Sequence, residues 1–161
     1  MTPAEPTVRL RPMTAEEFPG FVAASKAGYA HDIEVHGGQT REGALAKAEA
    51  DFPAVLPRGL DTPGHAIFMV EADGAGVGRL WLAERELGSR RILFIYDISI
   101  DPKRQGRGYG RATMRLAEEE ARSRGIGRIE LNVFGGNDVA RNLYRSLGYV
   151  ETSVQMGKDL A

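Results

Sequence analysis

Residues 92–125 read ILFIYDISIDPKRQGRGYGRATMRLAEEEARSRG, and three kinds of sequence follow one another in them. The apolar run Ile92–Ile100 stops at Asp101-Pro102. A short basic segment then carries glycines at 106, 108 and 110, and an amphipathic helical pattern runs on to Gly125. The order is strand, glycine loop, helix, and it suits the holding of a phosphate. The first amides of a helix have no partner within it, and the helix dipole puts partial positive charge on them. Glycine lets a ligand approach the backbone with no side chain in the way. Lys103, Arg104, Arg107 and Arg111 supply further charge. Spacing speaks against two common phosphate loops. No GxxxxGK followed by Ser or Thr occurs. The dinucleotide pattern GxGxxG fails because Arg111 stands where the third glycine belongs. Glu130, a candidate ribose-binding acid by distance, sits near the start of the next predicted strand and not at its end.

The rest of the composition sets bounds. A chain of 161 residues is expected to form one domain, 1–161, with a sizeable core. A net charge of −1 gives no general reason to expect nucleic acid or an anionic membrane as partner. There is no cysteine, so disulfides, thiolate metal sites and a cysteine nucleophile are excluded. No apolar run approaches a membrane span, and MTPAEPTVRL lacks the basic start and apolar centre of a signal peptide. A soluble, cytoplasmic protein is the expectation.

Around the opening stretch the chain alternates between the two periodicities. Residues 1–6, with two prolines, are expected to be loose. Thr7–Arg11 alternates as a strand. Thr14-Ala-Glu-Glu17 is a capping box and predicts a helix to about Ala30. Thr40 caps a second helix to about Val55, bent at Pro53. Thr62-Pro63-Gly64-His65 suits a type II turn. Ala66–Glu71 and Val77–Arg85 form a predicted hairpin across Asp73-Gly74-Ala75-Gly76. Ile92–Ile100 is the central strand, and a helix with acid-first i,i+4 pairs Glu118/Arg122 and Glu120/Arg124 follows it. With the strand Ile129–Phe134 this makes a right-handed parallel crossover. Asn137 caps a last helix that Gly148 ends. Tyr149–Val154, and Gln155–Lys158 after it, are expected as closing strands.

The segment Gln105-Gly106-Arg107-Gly108-Tyr109-Gly110 resembles the signature of the GNAT superfamily of acyl-CoA-dependent N-acetyltransferases: Gln or Arg, two residues, Gly, one residue, then Gly or Ala. A second stretch, Asn137-Asp-Val-Ala140 through Leu143-Tyr144 to Leu147-Gly148-Tyr149, is similar to that family's other signature. The order of elements fits as well. The resemblance implies an α/β (α+β) fold with a mixed, mostly antiparallel sheet, a splayed parallel strand pair and flanking helices. It implies acetyl-CoA as cosubstrate and no metal. By the same resemblance Gln105, Gly106, Arg107, Gly108, Tyr109, Gly110 and Arg111 would hold the pyrophosphate. Backbone groups near Ile98 and Ile100 would take the pantetheine arm, and Asn137 would touch the cofactor besides capping its helix. A backbone N–H near Ile98 would stabilise the oxyanion.

Tyr144 matches the family's tyrosine and is the candidate acid for the departing thiolate; the plainer reading is a core aromatic. The base is open. Many members of the family use a strand glutamate, but Phe94 stands at that position. Asp97 is then the only carboxylate inside the strand; Glu84, a water chain, or no base at all are the alternatives. A strict alternation puts Phe94, Tyr96, Ile98 and Ile100 on one face of the strand and Asp97 and Ser99 on the other. His31, Asp32, Glu34 and His36 fall in the expected connection between the first two helices, either a solvated loop or an acidic lure for a cationic amine. The acceptor, a small molecule or a peptide amine, is not legible, and a homodimer is left open. The rival reading is a non-catalytic acyl-CoA-binding or sensing module on the same fold.

Overall fold

The computed structural model describes residues 4–161. The expectation for residues 1–6 therefore lies partly outside the described residues. Five strands form one sheet in the order β1 (Arg9–Pro12), β2 (His65–Ala72), β3 (Ala75–Leu87), β4 (Arg90–Ile100) and β5 (Ile129–Leu131). The first four are antiparallel neighbours, and β5 runs parallel to β4. The crossover between β4 and β5 is the helix α3 (Tyr109–Ser123). The helices α1 (Phe18–Gly37) and α2 (Arg41–Val55) cover one face of the sheet, where Phe21, Phe52 and Leu56 pack on Ile67 and Trp81. The other face buries Val70, Leu80, Leu82, Leu93 and Ile95 against Met114, Ala117 and Ala121 of α3. Each large apolar side chain fully withdrawn from water there contributes about 1.5–3 kcal/mol. The helix α4 (Asp138–Ser146) leans on the same core through Tyr144 and Leu147. Among the described residues no helix is long and apolar enough to cross a membrane.

Several local signals act as their chemistry predicts. Thr14 and Glu17 make the reciprocal capping box: Glu17 N–H donates to Thr14 Oγ1 at 3.3 Å, and Thr14 N–H to a Glu17 carboxylate oxygen at 3.0 Å. Thr40 Oγ1 accepts from Gly43 N–H at 3.1 Å. The hairpin turns on Asp73-Gly74, both at positive φ, as a two-residue primed turn requires. The pairs Glu118–Arg122 and Glu120–Arg124 form at 3.5 and 2.7 Å.

Three expectations are corrected. First, α1 does not stop near Ala30 but runs to Gly37. No breaker occurs between Ala30 and Gly37-Gly38, Ile33 is buried, and the left-handed Gly38 closes the helix by donating its N–H to Ile33 C=O. His31, Asp32, Glu34 and His36 are thus helical. Second, β5 ends at Leu131, and neither Tyr149–Val154 nor Gln155–Lys158 is a strand. An alternating pattern needs a pairing edge and a face to bury; Val150, Val154 and Met156 have neither and are 79, 65 and 89 % exposed. Third, the alternation along β4 is not strict. Trp81 pairs with Asp97 while Leu82 pairs with Ile95, so Tyr96 is the extra residue of a β-bulge. The bulge reverses the parity. Phe94, Tyr96 and Asp97 face the α1 side, whereas Ile95, Ile98 and Ile100 belong to the α3 side.

Candidate active site

The site begins where the sheet opens. β4 and β5 pair only over Leu93–Ile95 and Ile129–Leu131. β4 then continues through Ile100, roughly 16 Å at about 3.3 Å per residue, with no paired strand on that side among the described residues. The orientation of its peptide groups follows from one bond. Asp101 N–H donates to Val77 C=O at 2.9 Å. In an antiparallel ladder hydrogen-bonded and non-hydrogen-bonded pairs alternate. Ile98 opposite Leu80, and Ile100 opposite Gly78, therefore turn their N–H and C=O away from β3 and into the gap. The Ile100 carbonyl is met by Gln105, whose side-chain amide donates to it at 3.1 Å. Gly78 is required at the other edge, since a Cβ there would lie 2.3 Å from Ser99 O.

At the end of β4 a 3-10 turn, Pro102–Arg104, leads into the glycine loop. Gly106 and Gly108 have φ of 76° and 84°, a region in which a side chain is strained. Gly108 is the N-cap of α3 and offers no side-chain acceptor. The first bond into this helix is donated by Ala112 N–H to Gly108 C=O. Among the described residues no protein group accepts from the amides of Gly106 through Arg111. Among the described residues Lys103, Arg104 and Arg107 have no ion-pair partner, and Arg111 donates to Ser146 Oγ at 2.7 Å. Tyr109 puts its ring into the core and leaves only its amide for a ligand. A row of unsatisfied, outward amides beside basic side chains fits a diphosphate.

The side chains around the gap come from both faces. Asn137 caps α4, its Oδ1 accepting from Ala140 N–H at 3.2 Å. Tyr144, two turns on, is half-buried with its ring 6.0 Å from that of Tyr149. Its phenol is pushed up to about 12, first by burial and then by the charges of Asp97 and Asp32. Tyr144 packs on the α3 side, while Asp97 is held on the α1 side. Asp97 is well engaged: Arg79 Nε donates to it at 2.7 Å, and Ser25 Oγ donates to the same carboxylate oxygen. Glu84 is occupied elsewhere, with Arg91 at 2.8 Å and Arg124 at 3.4 Å, and Arg91 above all holds its carboxyl below the usual range. Among the described residues no cluster of His, Asp and Glu is arranged to hold a metal ion.

One residue near the gap was read in the sequence only as one of four polar groups in an expected connection, a solvated loop or an acidic lure. Asp32 lies on the extended part of α1. Burial raises its carboxyl; His36 and His31 pull it back, and Asp97 raises it further. The signal that would have found it is the absence of any breaker between Ala30 and Gly37, which keeps Asp32 on the helix face that carries Ser25.

The parallel strand pair opens beside an amide-lined loop, and Tyr144 lies on the helix beyond it. The chain matches the sequence model of the Acetyltransferase (GNAT) family over residues 38–149, and it belongs to that family. It is 34 % identical over 155 residues to the uncharacterized N-acetyltransferase YycN of Bacillus subtilis, covering 96 % of this chain and 99 % of that one. The crystal structure of YycN superposes with a TM-score of 0.91 at 33 % identity, over 96 % and 99 % of the two chains. A streptothricin acetyltransferase of Streptomyces lavendulae is 30 % identical over 152 residues, 86 % of this chain and 78 % of its own. The aminoglycoside enzyme AAC(6')-Iy, solved with a CoA-based bisubstrate analogue, shares the fold with a TM-score of 0.61 at 17 % identity, over 96 % and 99 % of the chains.

Proposed function

We propose that residues 1–161 form one N-acetyltransferase domain that moves the acetyl group of acetyl-CoA to a primary amine by direct attack. The observation that carries this reading is the unsatisfied run of amides, Gly106–Arg111, next to strand peptides at Ile98 and Ile100 that face an open gap. Acetyl-CoA, when bound, supplies the activated acyl thioester. The loop amides with Lys103, Arg104 and Arg107 hold its diphosphate, and Gln105 braces the loop against Ile100. Asn137 keeps the start of α4 beside the same passage. The Ile98 N–H is the donor for the carbonyl oxygen that gains charge; a pre-aimed donor of this kind contributes about 3 kcal/mol.

Tyr144 gives its proton to the leaving sulfur. A phenol at about 12 stays protonated over the whole working range, so the proton is present when needed. Asp97 was the strand carboxylate available as base on the sequence alone. With Arg79 and Ser25 bound to one oxygen it is better suited to positioning and to setting the field at Tyr144. The named activities of the relatives, on streptothricin and on aminoglycosides, favour a small-molecule amine as acceptor.

The experiment is thiol release from acetyl-CoA in the presence of a panel of amines, run beside calorimetric titration of acetyl-CoA. The expected result is binding of one acetyl-CoA per chain and amine-dependent thiol release. Absence of binding contradicts the reading. Binding with no release on any amine supports instead the non-catalytic sensing module.

A further inference from the structure

We infer that Asp32 is the acceptor-side catalytic residue: it contacts the ammonium group of an alkyl primary amine and takes its proton before the nitrogen attacks. The inference rests on the acetyltransferase reading above and adds to it the acceptor's chemical class.

The argument starts from helix geometry. At about 100° per residue, Ser25, Asp32 and His36 fall within about 40° of one another on α1. Both ends of this stripe are fixed. Ser25, buried, donates to Asp97 on β4, and a Cβ on Gly28 would meet Arg79 at 3.7 Å. At the far end the His36 ring stacks on Phe134, centroids 6.2 Å apart, and its Nδ1 lies 2.9 Å from where a Cβ on Gly136 would be. The helix therefore spans from β4 to the segment after β5, across the place where those strands part. Asp32 lies between the two fixed ends, about 10 Å along the axis from Ser25 at 1.5 Å per residue. This placement sets Asp32 over the parting of the strands, and its charge reaches both Asp97 and Tyr144.

The chemistry of the neighbours singles it out. Asp97 is neutralised by Arg79. Among the described residues Asp32 has no ion pair and no hydrogen bond, only the more distant fields of His31, His36 and Asp97. A half-buried carboxylate without a partner is costly, and a cation in the gap would compensate it. Burial also raises its proton affinity, which suits a group that must accept a proton.

The step balances. Asp32 takes one proton from the ammonium, and the freed lone pair forms the C–N bond as the C–S bond breaks. Tyr144 protonates the sulfur; the surplus proton of the new amide nitrogen restores the phenol through water, and the proton on Asp32 leaves to solvent. An ammonium beside Asp32 also relieves part of the negative field on Tyr144, so the arriving acceptor makes the phenol a readier donor.

The test uses Asp32→Asn and Asp32→Glu, with neamine, lysinamide and spermidine as alkyl amines and p-anisidine as an aryl amine that is neutral in water. Asp32→Asn is expected to lower kcat/KM for the alkyl amines roughly 100-fold and to remove the acid limb of their pH profile. The limb in the wild-type protein falls as pH drops through the raised Asp32 value, because only the ionised carboxylate works. Turnover of p-anisidine and the Kd for acetyl-CoA are expected to change by less than about threefold, and Asp32→Glu to restore about tenfold of the loss. Equal loss on alkyl and aryl amines, no loss on either, or a wild-type protein that uses none of the alkyl amines overturns the role of Asp32. Failure of the wild-type protein to bind acetyl-CoA overturns the acetyltransferase reading itself.

Discussion

The two ends of this site are made of different material. On the proposed reading the loop Gln105–Arg111 works mainly through main-chain amides, with Arg107 adding charge, Gln105 bracing Ile100 and Tyr109 turned into the core. On the same reading the acceptor end works through side chains on three elements, Asp32 on α1, Asp97 on β4 and Tyr144 on α4, whose charges reach one another. A main-chain site tolerates exchange of most side chains but not of the glycines that shape it. A side-chain site fails with a single atom.

That contrast sets the order of expected effects. Tyr144→Phe removes one oxygen and should lower kcat by roughly 10²–10⁴ while the Kd for acetyl-CoA stays the same. Steady-state rates with a saturating amine check this, and an unchanged kcat would move Tyr144 out of the chemistry. Gly108→Val should do the reverse. Its φ of 84° and a Cβ only 3.1 Å from Pro6 impose strain; at about 1–2 kcal/mol, affinity for acetyl-CoA should drop about 5–30-fold. Calorimetry reads that drop, and kcat at saturation should hold. A Gly108→Val protein with wild-type affinity would break the contrast.

Arg79→Met leaves Asp97 with Ser25 alone. The pair is about four-fifths buried, with exposures of 21 and 20 %, and stranding one charge costs about 1–3 kcal/mol. Denaturant unfolding should show the loss, and the second change Asp97→Asn should recover much of it. The smallest effect is expected at the end of the chain. Removal of residues 152–161, which are exposed and outside the sheet, should change stability by less than about 0.5 kcal/mol. A larger loss of Tm would mean that this segment packs on something in solution.

The same contrast explains what the sequence disclosed. A site built from main chain needs glycine at fixed spacing, and Gly106 and Gly108 could be read directly. The parallel crossover was legible because strand, glycine loop and helix differ in periodicity over long stretches. At the acceptor end Tyr144, Asp97 and Asp32 were each named from the sequence, but their placement was not legible. The bulge at Tyr96 placed Asp97 on the same face as Phe94, contrary to simple alternation. Such a bulge inserts one residue without changing composition. The extension of α1 to Gly37 took Asp32 out of an expected loop; the break that ends the helix is Gly37-Gly38. The closing strands expected over 149–158 alternate correctly, yet pairing depends on an edge that the local pattern does not contain.

The central claim is that bare amides of the loop receive the diphosphate. Amide NMR of the uniformly 15N-labelled protein, titrated with coenzyme A, reads those groups directly. The predicted result is that the N–H signals of Gly106 through Arg111 shift most, with Ile98 next. Signals at those positions that stay fixed while coenzyme A binds elsewhere on the chain would contradict it.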